Sequence, residues 1–337
     1  MSRKFTRMRI VALILLIVVM TGVLVNGISN RINFNWFSNR ENPSWAYKNR
    51  IVREEGLSGV DRINFETDVG EVVLKTTDDS KIKVIERSNK KLKNNQILNI
   101  SRNGSELSFI EPSKFFNFNL FGFNNKKIVE IYLPKNYKEK LRVQTDVGDL
   151  YIKNDLELDA IDLVSDVGEI ISDKKIVTSN LNVSSDTGDI KFSRVEAKDY
   201  KFESDVGKVV IERLKGKGSV YSDVGNVICN IEKIDGHMDF STDVGSVILN
   251  IDKSQKFMLD ADTGAGKVIN NVSKNVYGDS RNSIKVRSDV GKVKLPIKVT
   301  DVKGEVEIPT EPQRIVDLSG NSDILSILGY KVVGTAN

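Results

Sequence analysis

The sequence predicts an all-β protein: a β-solenoid of about 20-residue coils that turn at Asp-Val-Gly corners. One observation is a short motif that recurs nine times. A second is its spacing, because the copies from Asp146 to Asp262 follow in steps of 20, 20, 19, 18, 20 and 19 residues, a period typical of repeat architectures. The third is that apolar and polar residues alternate on both sides of the motif, as in strands with one buried face.

Each copy of the motif reads Ser or Thr, then Asp, then Val or Thr, then Gly, and only Ala261 departs from the first position. In nearly every copy apolar residues lie five and three positions before the Asp and four and six positions after it, so the alternation shifts by one residue within the motif. Such a shift needs a bend or bulge, which glycine permits. A hairpin meander rolled into a sandwich is the alternative arrangement. The predicted turn residues are Asp68, Gly70, Asp146, Gly148, Asp166, Gly168, Asp186, Gly188, Asp205, Gly207, Asp223, Gly225, Asp243, Gly245, Asp262, Gly264, Asp289 and Gly291.

The motif aspartates are expected to face outward and to stack in a ladder, where adjacent charges repel by roughly 1 kcal/mol in water. Two explanations stay open. Each carboxylate accepts hydrogen bonds from the backbone of its own turn, or the early coils bind calcium, which prefers hard oxygen ligands. The calcium ladder would consist of Asp146, Asp149, Asp166, Glu169, Asp186 and Asp189. No other cofactor is indicated.

The repeat domain is expected to span 51–298, with an irregular first part over 51–140 and regular coils over 141–298. Within the first part, two alternating segments flank Asn103-Gly104, which predicts a β-hairpin. An aromatic and Asn-rich run follows at 115–123. It would either cover the first edge of the solenoid or present a contact surface.

The N-terminal segment predicts a membrane anchor. Residues 10–28 are uncharged and about as long as a bilayer core requires, and four basic residues precede them. The positive-inside tendency leaves 1–9 as a cytoplasmic tail and places everything after the 29–50 juxtamembrane linker outside the cell membrane. A cleavable signal peptide is the competing interpretation, although the small residues of a cleavage site are missing.

Composition argues against several classes of function. The net charge of +4 gives no global field for nucleic acid. The chain has one histidine, His237, and one cysteine, Cys229, so a histidine-based triad or a cysteine-rich metal cluster cannot be assembled. Cys229 falls on the inward phase of its strand and is expected to be a core residue. We therefore expect no enzyme activity and no catalytic residues.

The corner array, together with Ile-Tyr-Leu-Pro-Lys at 131–135, resembles the bacterial putative-adhesin β-solenoid domain family, a domain of unknown function, over about 51–298. That resemblance implies a membrane-anchored β-solenoid of the cell envelope without catalytic residues. Adhesion is only a label of that family.

Residues 299–337 follow a different pattern, which predicts a short βαβ fragment. The run from Gly304 to Leu318, then Ser319–Gly329, then Tyr330–Gly334 reads as strand, helix and strand. It looks like the opening of an iron-siderophore (hydroxamate-type) substrate-binding protein of an ABC transporter, here truncated.

The predicted function is a non-enzymatic, membrane-anchored extracytoplasmic scaffold, or adhesin-like interaction module, of the cell envelope. Its membrane contact is the N-terminal helix, and its envelope partner is unknown. The alternative is a fused or truncated siderophore-binding protein, whose partners would be ABC-transporter subunits.

Overall fold

The structure, a computed structural model, describes residues 48–112, 126–251, 255–270 and 281–295, together with four short strands between 297 and 335. The chain divides into two units, Met1–Pro43 and Ser44–Asn337, and every described residue belongs to the second. Among these residues no helix has both the length and the apolar character needed to cross a membrane. The predicted tail, anchor and most of the linker, like the aromatic run at 115–123, lie outside the described residues.

In the first part of the domain, the described residues form seven strands and one 3₁₀ turn at Asn94–Gln96. The strands are β1 (Asn49–Gly56), β2 (Arg62–Val69), β3 (Glu71–Thr77), β4 (Lys81–Ser88), β5 (Asn99–Asn103), β6 (Glu106–Ile110) and β7 (Lys127–Pro134). Strands β5 and β6 pair antiparallel on either side of Gly104, whose φ is +59°, which confirms the hairpin predicted at Asn103-Gly104. Strands β1, β4 and β7 also pair antiparallel and close this end of the sheet.

The rest of the domain is a parallel stack of coils. Its strands are β8 (Lys140–Val147), β9 (Leu150–Ile152), β10 (Leu156–Val167), β11 (Ile170–Thr187), β12 (Ile190–Val206), β13 (Val209–Val224), β14 (Val227–Val244), β15 (Val247–Ile251), β16 (Met258–Asn270) and β17 (Ser283–Leu295). From β8 to β15 each coil pairs in parallel with the next at equivalent motif positions. An all-β, solenoid-like stack is therefore confirmed, and the meander alternative is not observed.

The order of coils in space departs from the order in sequence at both ends. Strands β2 and β3 pair in parallel with β8 and β9, so the regular stack begins at Arg62 and not near 141. Strands β6 and β7 stack outside β2 and β3. At the other end β17 inserts between the coil of β14 and β15 and the coil of β16, which becomes the last.

The core is a column of inward side chains that runs the length of the stack. Before each corner, the residues at equivalent positions are fully buried, namely Leu163, Val183, Phe202, Val220, Phe240 and Val286. After each corner the same holds for Ile170, Ile190, Val209, Val227 and Val247. Each such side chain contributes about 1.5–3 kcal/mol of burial free energy. Cys229 belongs to this core with 0% exposure, as its strand phase predicts.

A buried ion network lies at the β6–β7 end of the stack. Lys127 Nζ lies 2.8 Å from Glu111 Oε2 and 3.4 Å from Glu86 Oε1, and all three side chains are buried. Glu111 also accepts hydrogen bonds from the Thr67 hydroxyl at 2.8 Å and from the Asp68 backbone N–H at 3.2 Å. Glu111 thus accepts the hydrogen bonds of two donors in the first corner, from the outer side of the stack.

Four short strands follow the stack. Strands β18 (Ile297–Asp301) and β19 (Gly304–Ile308) pair antiparallel, and β20 (Ile315–Asp317) pairs in parallel with β21 (Val332–Thr335). The helix predicted at 319–329 lies outside the described residues, so the siderophore-binding interpretation stays a prediction.

Candidate functional site

The corner of each coil is built on a glycine that contacts the glycine of the neighbouring coil. A Cβ on Gly148, Gly168 or Gly188 would come within 2.0–2.1 Å of the carbonyl oxygen of the preceding corner glycine, and these three residues have φ of +151° to +154°. Glycine tolerates both the close approach and this φ, whereas any other residue would be strained. The glycines therefore determine how closely the coils stack.

In most copies the Ser or Thr of the motif points inward and bonds to the same glycine column, whereas Thr67 bonds to Glu111 and the buried Thr145 hydroxyl has no partner. The hydroxyl of Ser222 donates to the Gly207 carbonyl at 2.9 Å, and that of Thr242 donates to the Gly225 carbonyl at 2.8 Å. Equivalent bonds of 2.9–3.4 Å are made by Ser165, Ser185, Ser204 and Ser288. A buried hydroxyl costs free energy unless it is hydrogen-bonded, and this ladder supplies the partner.

The residue after the Asp points outward, so two successive side chains face solvent between the buried Ser or Thr and the glycine. In six coils this residue is a valine with 40–54% of its surface exposed: Val69, Val147, Val167, Val224, Val244 and Val290. The register places all of them, with Thr187 and Val206 between Val167 and Val224, in one line along the stack. We call this line the valine row.

The aspartates of the motif form a second line, the aspartate row, beside the valine row. Those of the stacked copies are half-buried or exposed, as the sequence predicts. Burial, followed by the charges of Asp146 and Asp186, raises the pKa of the Asp166 carboxyl. Burial also raises the pKa of Asp205, with further contributions from Asp186 and Asp223. These shifts show that the carboxylates repel one another across neighbouring coils.

Later in the stack a tyrosine interacts with the aspartate row. Hydrogen bonds to Asp223 and Asp243, together with burial, raise the pKa of the Tyr221 hydroxyl well above its usual value. The phenol therefore lies beside carboxylates of two adjacent coils.

In three copies the residue three positions after the motif Asp links neighbouring coils through the backbone. Asp149 Oδ1 accepts from the Glu169 backbone N–H at 2.9 Å, Asp189 Oδ1 from the Lys208 N–H at 2.9 Å, and Asn226 Oδ1 from the Ser246 N–H at 2.8 Å. These bonds hold the coils in register on the far side of the glycine.

Three of the six residues of the predicted calcium ladder have protein partners at this position. Lys191 Nζ lies 3.1 Å from both Glu169 Oε1 and Asp189 Oδ2, and the Tyr151 hydroxyl donates to Asp149 at 2.9 Å. The other three, Asp146, Asp166 and Asp186, lie in the aspartate row. In the described part of the chain no group of three or more His, Cys, Asp or Glu side chains could hold a metal ion. The calcium ladder gains no support from this arrangement.

The motif copy in β16 does not form its corner at the residues that the sequence predicts. Thr263 aligns with Ser288 and Gly266 with Gly291, so Asp262 aligns with Arg287 and Gly264 with the position of Asp289. Thr263 also donates to the Gly291 carbonyl at 3.2 Å, as the motif Ser and Thr do elsewhere. The prediction that Asp262 and Gly264 form this corner is wrong, because the sequence Asp-Thr-Gly-Ala-Gly offers a second glycine two residues later.

A cleft of about 840 Å³ lies away from the corner, at the start of the regular coils. Its acidic groups have basic or backbone partners: Glu157 bonds to Lys138 Nζ at 2.7 Å, and Asp155 accepts from the Lys175 backbone N–H at 3.0 Å. The only histidine of the chain, His237, is exposed and contacts Ser283. These lysine and backbone groups engage the two carboxylates of the cleft.

The valine row is the surface that sequence reasoning missed. The signal was present, because valine fills this position in seven of the nine copies. Alternation alone could not show its direction, since the phase shifts inside the motif. The inward hydroxyls were also missed as hydrogen-bond donors, because their acceptors belong to another coil.

The solved structures that are similar to this chain include three bacterial proteins. A putative adhesin from Bacteroides fragilis NCTC 9343 is 16% identical and covers 74% of this chain and 97% of its own, with a TM-score of 0.43. A putative cell adhesion protein from Clostridium sporogenes ATCC 15579 is 16% identical, with coverages of 74% and 99% and a TM-score of 0.29. A putative lipid binding protein from Parabacteroides distasonis ATCC 8503 is 15% identical, with coverages of 73% and 98% and a TM-score of 0.43.

No curated protein matches the sequence. A family model does, and it covers most of the chain, from residue 60 to residue 309. These limits enclose the stack of coils from β2 to β17. The chain belongs to the Toastrack DUF4097 family.

Proposed function

We propose that this protein is a non-enzymatic, membrane-anchored scaffold of the bacterial cell envelope that holds an extracytoplasmic partner along the valine and aspartate rows. The observation that carries the proposal is the exposure of six valines, 40–54% each, in one line along the stack. An isolated exposed valine is ordinary, but a line of exposed valines bordered by charge is typical of an interaction surface.

The chemistry of the chain favours binding over catalysis. The candidate groups form lines, and lines suit an extended partner better than a small substrate, which needs a concave site. The cleft described above has its carboxylates engaged by lysine and backbone groups. The extracytoplasmic location rests on the uncharged segment 10–28 and the basic residues before it.

A cysteine-labelling experiment tests the location. Cys229 is fully buried and burial raises the pKa of its thiol, so it should not react with a maleimide in the folded protein. Lys198→Cys places a thiol at an exposed position. A membrane-impermeant maleimide should label this variant in intact cells and leave the unsubstituted protein unlabelled. Labelling of Lys198→Cys only after lysis would show that the domain is cytoplasmic.

A second experiment tests the surface. Val167→Thr, Val224→Thr and Val244→Thr combined keep β-branched side chains and strand propensity while removing apolar surface. Envelope components cross-linked to the full chain in cells should be lost in this triple variant. They should be retained in Val52→Thr, the control variant. This substitution changes a valine of 42% exposure that lies on strand β1 and does not belong to the valine row. The same components recovered with all three proteins would exclude the valine row as the working surface.

A further inference from the structure

The flank, defined as the outward side of the strands that follow the corner glycines, carries a charge pattern that the proposed function does not use. It begins three residues after each motif Asp, beyond the glycine bend, and so is distinct from the valine row. In the order of the stack its first column reads Ile128, Glu71, Asp149, Glu169, Asp189, Lys208, Asn226, Ser246, Lys292 and Lys267. Acidic residues occupy four of the first five positions and lysines three of the last five.

The next outward column of the flank is mainly apolar. It reads Glu130, Val73, Tyr151, Ile171, Lys191, Val210, Ile228, Ile248, Lys294 and Ile269 in the same order. From Tyr151 to Ile248 these side chains are half-buried. The one lysine among them, Lys191, is neutralised by Glu169 and Asp189. The middle of the flank is therefore an apolar strip.

We propose that the flank pairs with the flank of a second copy of this chain, with the two stacks antiparallel and a two-fold axis between the coils of Lys191 and Val210. Rotation about that axis places Glu71 of one copy opposite Lys292 of the other. It also places Asp189 of one copy opposite Lys208 of the other. In the apolar column it places Tyr151 opposite Ile248 and Ile171 opposite Ile228. A closed two-fold interface of this kind is the commonest form of homo-oligomer.

The alternatives fit less well. A parallel two-fold pairing whose axis runs along the apolar column would set Lys191 against Lys191 and Lys294 against Lys294, and like charges in contact disfavour association. The antiparallel pairing sets no two like charges opposite each other in either column. Ten coils at ~4.8 Å and an outward face ~13 Å wide give roughly 1,100 Å² of total buried surface, which reaches the range of specific interfaces.

The first test is a charge swap between the two ends of the stack. Glu71 and Lys292 lie seven coils apart in one chain, roughly 34 Å, so they can compensate each other only between copies. Glu71→Lys and Lys292→Glu should each raise the dissociation constant of the detergent-solubilised full-length dimer about tenfold. The double variant should return it to within about threefold of the unsubstituted protein. Sedimentation velocity measures all four proteins.

Neither substitution is expected to harm folding, because Glu71 lies beside Asp149 and Lys292 beside Lys267, so each change removes a like-charge neighbour within the chain. Melting temperatures of the four proteins check this. A monomeric unsubstituted protein, or a double variant that is as weakly associated as the singles, would overturn the proposal.

The second test fixes the direction of pairing in cells. Ile171→Cys with Ile228→Cys should give a disulfide-linked dimer, whereas each single variant should not. Within one chain these positions lie three coils apart, roughly 14 Å, which is too far for a disulfide. Asp162→Cys with Ser219→Cys, at the matching coils on the other side of the corner, is the control and should stay monomeric.

Dimers formed by both single variants would show that the copies are parallel, and the absence of a dimer in the Ile171→Cys, Ile228→Cys variant would exclude the interface. Neither outcome bears on the partner of the valine row, which the Val→Thr experiment tests separately. If neither the dimer nor a partner of the valine row were found, the protein would be a monomer and neither the flank nor the valine row would be its working surface.

Discussion

The carbonyl oxygen of Gly148 lies within 2.1 Å of the place that a Cβ on residue 168 would occupy. The backbone of one coil thus rests directly on the glycine of the next. Gly168→Ala should therefore force neighbouring coils apart and strain a φ of +154°. We expect a loss of about 2–4 kcal/mol in the free energy of unfolding.

Urea unfolding of the full-length protein measures this loss. Gly56→Ala is the matched control, because no atom lies within 4 Å of its added Cβ, and it should change the free energy of unfolding by less than about 0.5 kcal/mol. Equal unfolding midpoints for the two variants would show that the corner can relax without cost.

The inward hydroxyl ladder gives a second prediction. Ser222→Ala removes a 2.9 Å bond to the Gly207 carbonyl and leaves that buried oxygen with one partner fewer. It should lower the free energy of unfolding by about 1–2 kcal/mol. Ser246→Ala, where the backbone N–H makes the bond to Asn226, should have little effect. Thermal unfolding followed by circular dichroism compares the two, and a smaller loss for Ser222→Ala than for Ser246→Ala would contradict the ladder.

The aspartate row predicts an unusual pH response. The pKa of Asp166 is raised above 3.8, so the ionised carboxylate destabilises the folded chain at neutral pH. This destabilisation disappears as the pH falls through the folded-state pKa toward the unfolded value. Asp166→Asn should therefore raise the free energy of unfolding at pH 7 by at most about 0.5 kcal/mol after solvent screening. The melting temperature should rise with it, and the gain should vanish near pH 4.

Glu196 provides the opposite case. Its hydrogen bond from Lys175, the largest cause, lowers the pKa of the Glu196 carboxyl. Its stabilising contribution is present above the unfolded pKa and is lost as the pH falls through the folded pKa. Glu196→Gln should therefore lower the melting temperature at pH 7.

If the gain in melting temperature of Asp166→Asn were independent of pH, charge repulsion would not be its origin.

The buried ion network predicts a large effect of one charge. Lys127→Met leaves Glu86 and Glu111 buried without their shared cation, which should cost about 3–5 kcal/mol. Lys135→Met removes an exposed pair with Asp78 and should cost less than about 1 kcal/mol. Urea unfolding midpoints measure both. Similar midpoints would mean that water enters the network.

The regular coils were predictable from the sequence because the motif repeats with one period and the inward positions alternate. Leu163, Val183 and Phe202 are buried where that pattern puts them. The hairpin at Asn103-Gly104 was predictable for a local reason, since its turn chemistry is contained in two residues. The corner in β16 was not, because Gly264 and Gly266 are equally plausible corners until the pairing with β17 selects one.

The sequence by itself determined the regular strands, the corners other than the one in β16, and the inward phase, since these depend on side chains a few residues apart. Only the tertiary structure decided the order of the coils, with β6 and β7 outside β2 and β3, and with β17 inside β16. It also decided that the motif valines face solvent and that the flank divides into an acidic and a basic half. Strand pairing between distant segments depends on contacts that local sequence does not encode, because every coil offers the next nearly the same edge.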